Sequence, residues 1–324
     1  MTHEKTAGRR AAQLAADARA SANLQRKASQ RCIEAQHAGQ PIGARCNLAC
    51  EYCYYLDKPA GAVMDDALLE QYTRQVIAVH GLHAEIEFAW HGGEPTLAGA
   101  AFFEKALGFQ AQYDKGRIIR NTMQTNATLL NDELCRMFKA NGFLLGVSID
   151  GPEDLHNRFR GATFHRVMQG VELLEKHSVP FNTLTAVHAG NYGEPERVYR
   201  FLRELTDHMQ FLPVVELLPA IYEQEAGRRF AQPPGVYSQR ISRRAAAFSL
   251  PPEGIGAFLC GVLALWKRED AGKKSVQLFE STMGALLGQP ASFAPTGPSA
   301  ATAPACWKTA TCIAAIATVM KSTG

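Results

Sequence analysis

Along most of this chain the spacing of apolar residues switches repeatedly between the period of a strand and that of a helix. Glu85 to Trp90, EIEFAW, alternates apolar and polar residues, as a half-buried strand does. Just before it, Asp65 to His80 sets Leu68, Leu69, Tyr72, Val76 and Ile77 at helical spacing behind an acidic capping residue. The switch recurs downstream. Helices are predicted over Phe102 to Tyr113, Asp132 to Asn141 (closed by Gly142), Phe164 to His177 and Glu194 to Leu205. Strands are predicted over Ile118 to Gln124, Leu144 to Ile149, Phe181 to Val187 and Met209 to Leu217, with Pro41 to Ala44 ending a first strand. Strands that alternate with helices through short links pair in parallel, each helix crossing back over the sheet. About six such units predict an α/β fold, an open partial (β/α)6 barrel over residues 39–235. In such barrels the chemistry collects where strands deliver their C-terminal ends.

The two ends break the pattern. Residues 1–38 are rich in Ala, Gln, Arg and Lys, with a helical period but too few large apolar residues to bury, and are expected to form a polar basic tail. After about Ala220 the sequence turns loop-like. Ile255 to Arg268 and Ser275 to Leu287 then predict linker helices within a C-terminal region over 236–324.

Composition narrows the class. A chain of 324 residues, 46% hydrophobic and 20% charged, is long enough for a sizeable core and globular in character. It has neither a 20-residue apolar span nor an apolar N-terminal h-region, so no membrane or secretory role is expected. A net charge of +3 without a clustered basic face gives no reason to expect a nucleic-acid partner. Eight cysteines in a chain this long are not a disulfide framework, and three of them are clustered, which suits a reducing cytoplasm.

Those three are Cys46, Cys50 and Cys53, spaced C-x3-C-x2-C. Three thiolates on a 4Fe-4S cube leave one iron without a protein ligand. A structural zinc site would need a fourth Cys or His, and Tyr54 to Met64 offers none. Core-filling cysteines would be scattered on apolar periods rather than packed into one turn. The pattern therefore favours an iron–sulfur site over either alternative.

Three more motifs follow predicted strands. In Gly92-Gly93-Glu94-Pro95 the glycines remove Cβ bulk, so backbone can approach a ligand, and the Glu94 carboxylate can accept from an ammonium group; an ordinary strand-to-helix turn is the plainer reading. Gln124 and Asn126 offer amides to a ribose or an adenine edge, although Asn and Thr also favour helix-capping loops. The Ser148 hydroxyl ends the fourth strand near Asp150, where Gly151 and Pro152 could equally serve to turn the chain.

The cysteine motif, with Tyr52 as the aromatic before Cys53, resembles the signature of the radical S-adenosylmethionine (SAM) superfamily. CNLACEYCYYLDK, followed by WHGGEPTLAG, QTNATLL and SIDGP, is similar in particular to the anaerobic sulfatase-maturating enzymes, from about Pro41 to about Pro290. The resemblance implies a 4Fe-4S cluster on Cys46, Cys50 and Cys53, with SAM filling the open iron through its amino and carboxylate groups and cleaving to a 5'-deoxyadenosyl radical. It implies SAM contacts from Tyr52, Gly92, Gly93, Glu94, Pro95, Gln124, Asn126, Ser148 and Asp150, and a substrate-side role for Tyr55. The implied reaction oxidises a Cys or Ser of a sulfatase polypeptide to formylglycine, with a flavodoxin or ferredoxin as electron donor. A thioether-forming or epimerising radical SAM maturase, or an inactive truncated product, would share much of the same pattern.

There are departures. His91 stands where the family usually has Gln, Ala127 where it has Gly, and the loop carrying Arg158 and Arg160 is shorter, so neither arginine is carried across. Relatives continue into a SPASM-type domain with auxiliary 4Fe-4S clusters and a catalytic Asp in a Gly-x-x-x-Tyr-Cys-Asp run. Beyond the linker helices only Cys306 and Cys312 remain, too few for two cubes, and that Asp is not found. Back-translating Trp307 to Thr318 and stepping the frame back by one nucleotide gives codons compatible with LEDGDLYRCDRY. The tail is therefore expected to be truncated or read out of frame, with maturation impaired.

Overall fold

The computed structural model describes residues 37–56, 58, 62–82, 85–215, 217–219 and 241–287. Six parallel strands lie side by side in chain order: β1 (His37–Gly39), β2 (Glu85–Trp90), β3 (Ile118–Thr125), β4 (Leu144–Ser148), β5 (Phe181–Val187) and β6 (His208–Pro213). A two-stranded antiparallel ribbon pairs β7 (Leu217–Pro219) with β8 (Ile241–Ala245), and a short β9 (Ser275–Val276) extends the main sheet beyond β6. The crossovers are α1 (Asp66–Ala78), α2 (Ala100–Tyr113), α3 (Asp132–Ala140), the pair α4 (Glu153–Arg160) and α5 (Phe164–Lys176), and α6 (Pro195–Leu205). Then α7 (Gly254–Glu269) packs on α6, and α8 (Gln277–Leu286) follows β9. Unbroken sequential order with parallel pairing is the open barrel that the alternating periods predict.

Local chemistry sets the ends of these elements. The Asp65 carboxylate accepts from the Leu68 amide (2.8 Å) and starts α1, and the Asn131 side chain does the same for α3 through Leu134 (2.9 Å). Pro41 has no N–H to continue a ladder, so β1 ends at Gly39 and residues 41–44 turn, rather than completing a strand. Likewise β6 stops at Pro213, short of the expected Leu217, and β9 opens a segment expected to be helical from Ser275. Residues 1–36 and 288–324, with the readings made for Cys306, Trp307 and Cys312, lie outside the described residues, as does the stretch 220–240.

Ile86, Phe88 and Trp90 of β2 are fully buried against the helical layer. The Trp90 ring meets Tyr72 of α1 and Phe102 and Phe103 of α2 edge-on. Its indole N–H donates to Asn121 Oδ1 (2.9 Å), and Asn121 exchanges two amide hydrogen bonds with Gln110 of α2 (2.9 and 2.8 Å). The C-terminal end of β2 is thus fixed on both sides, which fixes where residues 91–95 emerge.

A similarly close approach holds α5 to the loop after β3. A Cβ on Gly170 would stand 2.2 Å from the Ala127 carbonyl oxygen and 2.9 Å from its Cβ. Ala127 itself has φ +62°, a left-handed conformation that costs an alanine roughly 1–2 kcal/mol. Gly170→Ala is expected to destabilise the fold by about 1–3 kcal/mol through overpacking. The readout is a lower urea midpoint with an unchanged slope; an unmoved midpoint would contradict the tight contact.

Candidate active site

The cysteine loop is gripped through its backbone. His91 N donates to Gly39 O (2.9 Å), Gly93 N to Gly43 O (2.9 Å) and Glu94 N to Arg45 O (2.8 Å), so residues 91–94 run alongside 39–45. On the other side Glu51 N donates to the Phe159 carbonyl of α4 (2.7 Å). A Cβ at Gly93 would lie 1.8 Å from Arg45 O, and one at Gly92 (φ +121°) 2.7 Å from Gly43 O. The close approach these glycines permit is to the chain that leads into Cys46.

Cys46, Cys50 and Cys53 are free thiols lining a cavity of about 370 Å3 at the C-terminal ends of β2, β3 and β4. Tyr52, Tyr55, Gly92, Gly93, Glu94, Gln124, Asn126 and Ser148 line it too, as do His91 and Arg160. Pro95 and Asp150 do not. Pro95 opens the 3-10 turn Pro95–Ala98, and Asp150 is fully buried.

The Glu94 carboxylate is almost wholly occupied by its own chain. Oε1 accepts from Thr96 N (3.1 Å), Thr96 Oγ1 (2.6 Å) and Thr125 Oγ1 (2.7 Å), and Oε2 from Asn126 N (2.7 Å). Burial raises its pKa, with the four hydrogen bonds working the other way. One acceptor site remains on Oε2, enough for one ammonium donor. Glu94 thereby ties the end of β2 to the end of β3.

Asp150 anchors a buried ion pair. It binds Arg160 through Nε (2.7 Å) and Nη2 (3.0 Å), accepts from Ala186 N (3.0 Å), and receives a short hydrogen bond from the Tyr52 hydroxyl. His188 Nε2 stands 3.6 Å from Oδ2, too far for a hydrogen bond. Burial alone would raise the Asp150 carboxyl, but the adjacent guanidinium holds it well below the usual range. The Arg160 carbon lies 5.4 Å from the Tyr52 ring centre, a cation–π contact. Arg160 is thus the basic group of the cavity that the sequence reading left unassigned. Its signal was legible: Pro152, Glu153 and Asp154 at one end and Arg158 and Arg160 at the other mark a short helix.

At the mouth, Tyr55 stacks on Tyr54 (4.2 Å between centroids), accepts from Gln40 Nε2 (3.2 Å), and has the Lys58 ammonium over its ring at 5.1 Å. Burial lowers the pKa of His91, so its imidazole is neutral near pH 7. Burial also raises the thiol pKa of Cys46, and pushes that of Cys50 up to about 11 against the opposing charge of Arg160. Metal-free, these two are thiols at neutral pH, and ligation has to displace their protons.

Among the described residues no three Cys, His, Asp or Glu side chains converge as they would on a single ion. The cavity offers three sulfurs and no imidazole close enough to complete a zinc tetrahedron, a donor set that suits a cube with one open iron. Beside it stand a guanidinium, a carboxylate with one site left, the Ser148 hydroxyl and the Gln124 amide, groups that match the carboxylate, ammonium and ribose of SAM.

Residues 41–202 match the family described as the Radical SAM superfamily, and the chain belongs to that superfamily. Within it, the chain is similar to the anaerobic sulfatase-maturating enzymes. It is 40% identical over 262 residues to the serine-type enzyme of Bacteroides thetaiotaomicron, covering 77% of this chain and 61% of that one. It is 30% identical to the cysteine-type enzyme of Clostridium perfringens, covering 76% and 65%. The solved structure of native anSMEcpe with bound AdoMet and Cp18Cys peptide superposes with a TM-score of 0.67 at 30% identity, over 80% of this chain and 68% of that one. The chain thus spans about three-fifths of the length of the curated serine-type relatives it matches.

Proposed function

We propose that this chain is a radical SAM oxidoreductase of the sulfatase-maturating type, oxidising a Cys or Ser of a sulfatase polypeptide to formylglycine. The observation that carries the reading is the meeting of three thiols with the ends of β2, β3 and β4 around one cavity, in a chain 40% identical to a serine-type maturase. When bound, the cluster and SAM supply a 5'-deoxyadenosyl radical able to take a Cβ hydrogen from the target residue.

The chain's own residues do the rest by binding and orientation. Cys46, Cys50 and Cys53 would hold the cluster, Glu94 Oε2 has a site left that would accept from the SAM ammonium, and Arg160, fixed by Asp150, would meet its carboxylate. Ser148 and Gln124 serve the ribose side, while Tyr55 and neutral His91 border the substrate side. The same reading makes residues 39–235 the barrel, with a polar tail before it and linker helices after it. It also places the chain in the cytoplasm with a flavodoxin or ferredoxin as electron donor, and includes no nucleic-acid or membrane partner. No helix among the described residues is long and apolar enough to cross a membrane.

Anaerobic reconstitution with iron and sulfide, followed by assay of 5'-deoxyadenosine and of formylglycine in a sulfatase peptide, tests the proposal. A coloured chain that forms 5'-deoxyadenosine is the expected result; a chain that stays colourless and leaves SAM intact would refute it. Deoxyadenosine without formylglycine, from serine and cysteine peptides alike, would turn the reading toward another peptide-modifying maturase or toward a chain impaired in the second half of the reaction.

A further inference from the structure

Asn126 is placed by the sequence with the groups that meet SAM, but its side chain has nothing left to offer a ligand. An asparagine amide carries two donors and two acceptor sites. Here Oδ1 accepts from Thr128 N (3.0 Å) and Thr128 Oγ1 (2.7 Å), while Nδ2 donates to Asn47 Oδ1 (3.0 Å) and reaches the Cys46 sulfur at 3.7 Å. All four positions are used. Asn47 Nδ2 closes the ring onto Thr128 Oγ1 (2.9 Å). The amide orientation follows from these partners: flipped, Oδ1 would face Asn47 Oδ1 and the sulfur, and Nδ2 would face the Thr128 N–H. The residue is 7% exposed, and its backbone N–H is bound to Glu94 Oε2.

The Leu48 amide also donates to the Cys46 sulfur, at 3.4 Å. Cys46 thus receives two N–H groups, and among the described residues no N–H reaches the sulfur of Cys50 or Cys53. N–H donors directed at a ligating sulfur favour the more negatively charged, reduced cluster, and hydrogen bonding to the sulfurs is one of the factors that set cluster potentials.

We propose that Asn126 is a positioning residue for the cluster, acting through the Cys46 sulfur to make the cluster easier to reduce, and is not a SAM ligand. The inference rests on the reading of Cys46, Cys50 and Cys53 as cluster ligands. Asn47 and Thr128 hold the amide in that role, which gives the QTNAT loop a function separate from the ribose contacts of Gln124.

The test uses the full chain, reconstituted without oxygen, with and without Asn126→Leu, a change that keeps side-chain volume and removes the donor. The reduced-to-oxidised ratio of the cluster is read by electron paramagnetic resonance at fixed potential without SAM, and SAM affinity is measured separately. The ratio is expected to fall about tenfold, equivalent to about 59 mV for a one-electron couple, with SAM affinity within twofold of wild type. An unmoved ratio with SAM affinity weakened tenfold would overturn the proposal and make Asn126 a SAM ligand. Should Asn126→Leu not load iron, Thr128→Val decides, because it loosens the amide while leaving the donor present. A two- to threefold fall of the same sign supports the proposal, and no change overturns it. A colourless wild-type chain would sink the cluster assignment and this inference together; a coloured one with an unmoved potential sinks only the inference.

Discussion

Replacing Gly93 with alanine is expected to abolish iron loading while leaving most of the fold in place. The new Cβ would sit 1.8 Å from Arg45 O, 2.3 Å from Arg45 C and 2.8 Å from Ala44 C. All three are backbone atoms, and no rotamer change can move them aside. Relief requires parting the two segments, which breaks the hydrogen bonds from Gly93 to Gly43 and from Glu94 to Arg45. Each is worth about 1 kcal/mol net, and the buried Glu94 carboxylate then shifts against its four donors. The cost to global stability is on the order of 2–4 kcal/mol, because the anchoring side chains Ile86, Phe88 and Trp90 lie before the displaced residues. Cluster binding suffers more: Cys46 directly follows Arg45, and a cube needs all three sulfurs placed together. Iron and sulfide per chain should drop at least tenfold, with a far-UV circular dichroism spectrum like that of wild type. A Gly93→Ala chain that loads iron fully would show that the loop can yield.

That dependence also shows where the sequence stops being informative. The periods of EIEFAW and of Phe181 to Val187 locate β2 and β5 because strand spacing and burial are local properties, and Asp65 marks the start of α1 through a local hydrogen bond. The glycines of GGEP were legible as a point of close approach, but what they approach, residues 43–45, lies about fifty positions earlier in the chain and is set by β1 pairing with β2. Helix α4 was not foreseen. EDLHNRFR buries only Leu155 and His156, and it is held by contacts of its last turn with Asp150 and the cysteine loop. The positive φ of Ala127 (+62°), by contrast, falls at a position where the family usually carries Gly.

Breaking the Asp150–Arg160 pair is expected to be the most costly side-chain change in the barrel. The two side chains are 0% and 9% exposed, so removing either leaves a charge in a dry setting, at a cost of about 3–5 kcal/mol. Asp150→Asn and Arg160→Met should each lower the urea midpoint sharply, and the double variant should lose far less than the sum of the two. Acid sensitivity carries the sign. The folded Asp150 carboxyl is held below its ordinary value, so its contribution is complete above about pH 4 and is lost as pH falls toward the depressed value. The wild type should therefore lose stability below pH 4 more steeply than the double variant, in which no such carboxylate remains. SAM binding separates the partners further. Arg160→Met removes the guanidinium that faces the cavity, whereas Asp150→Asn keeps it and removes only its anchor. If Arg160 holds the SAM carboxylate directly, its variant should weaken SAM at least tenfold in either Asp150 background. Weakening by Asp150→Asn alone, with no further loss on adding Arg160→Met, would mean instead that the pair acts only by fixing Tyr52 and the cysteine loop.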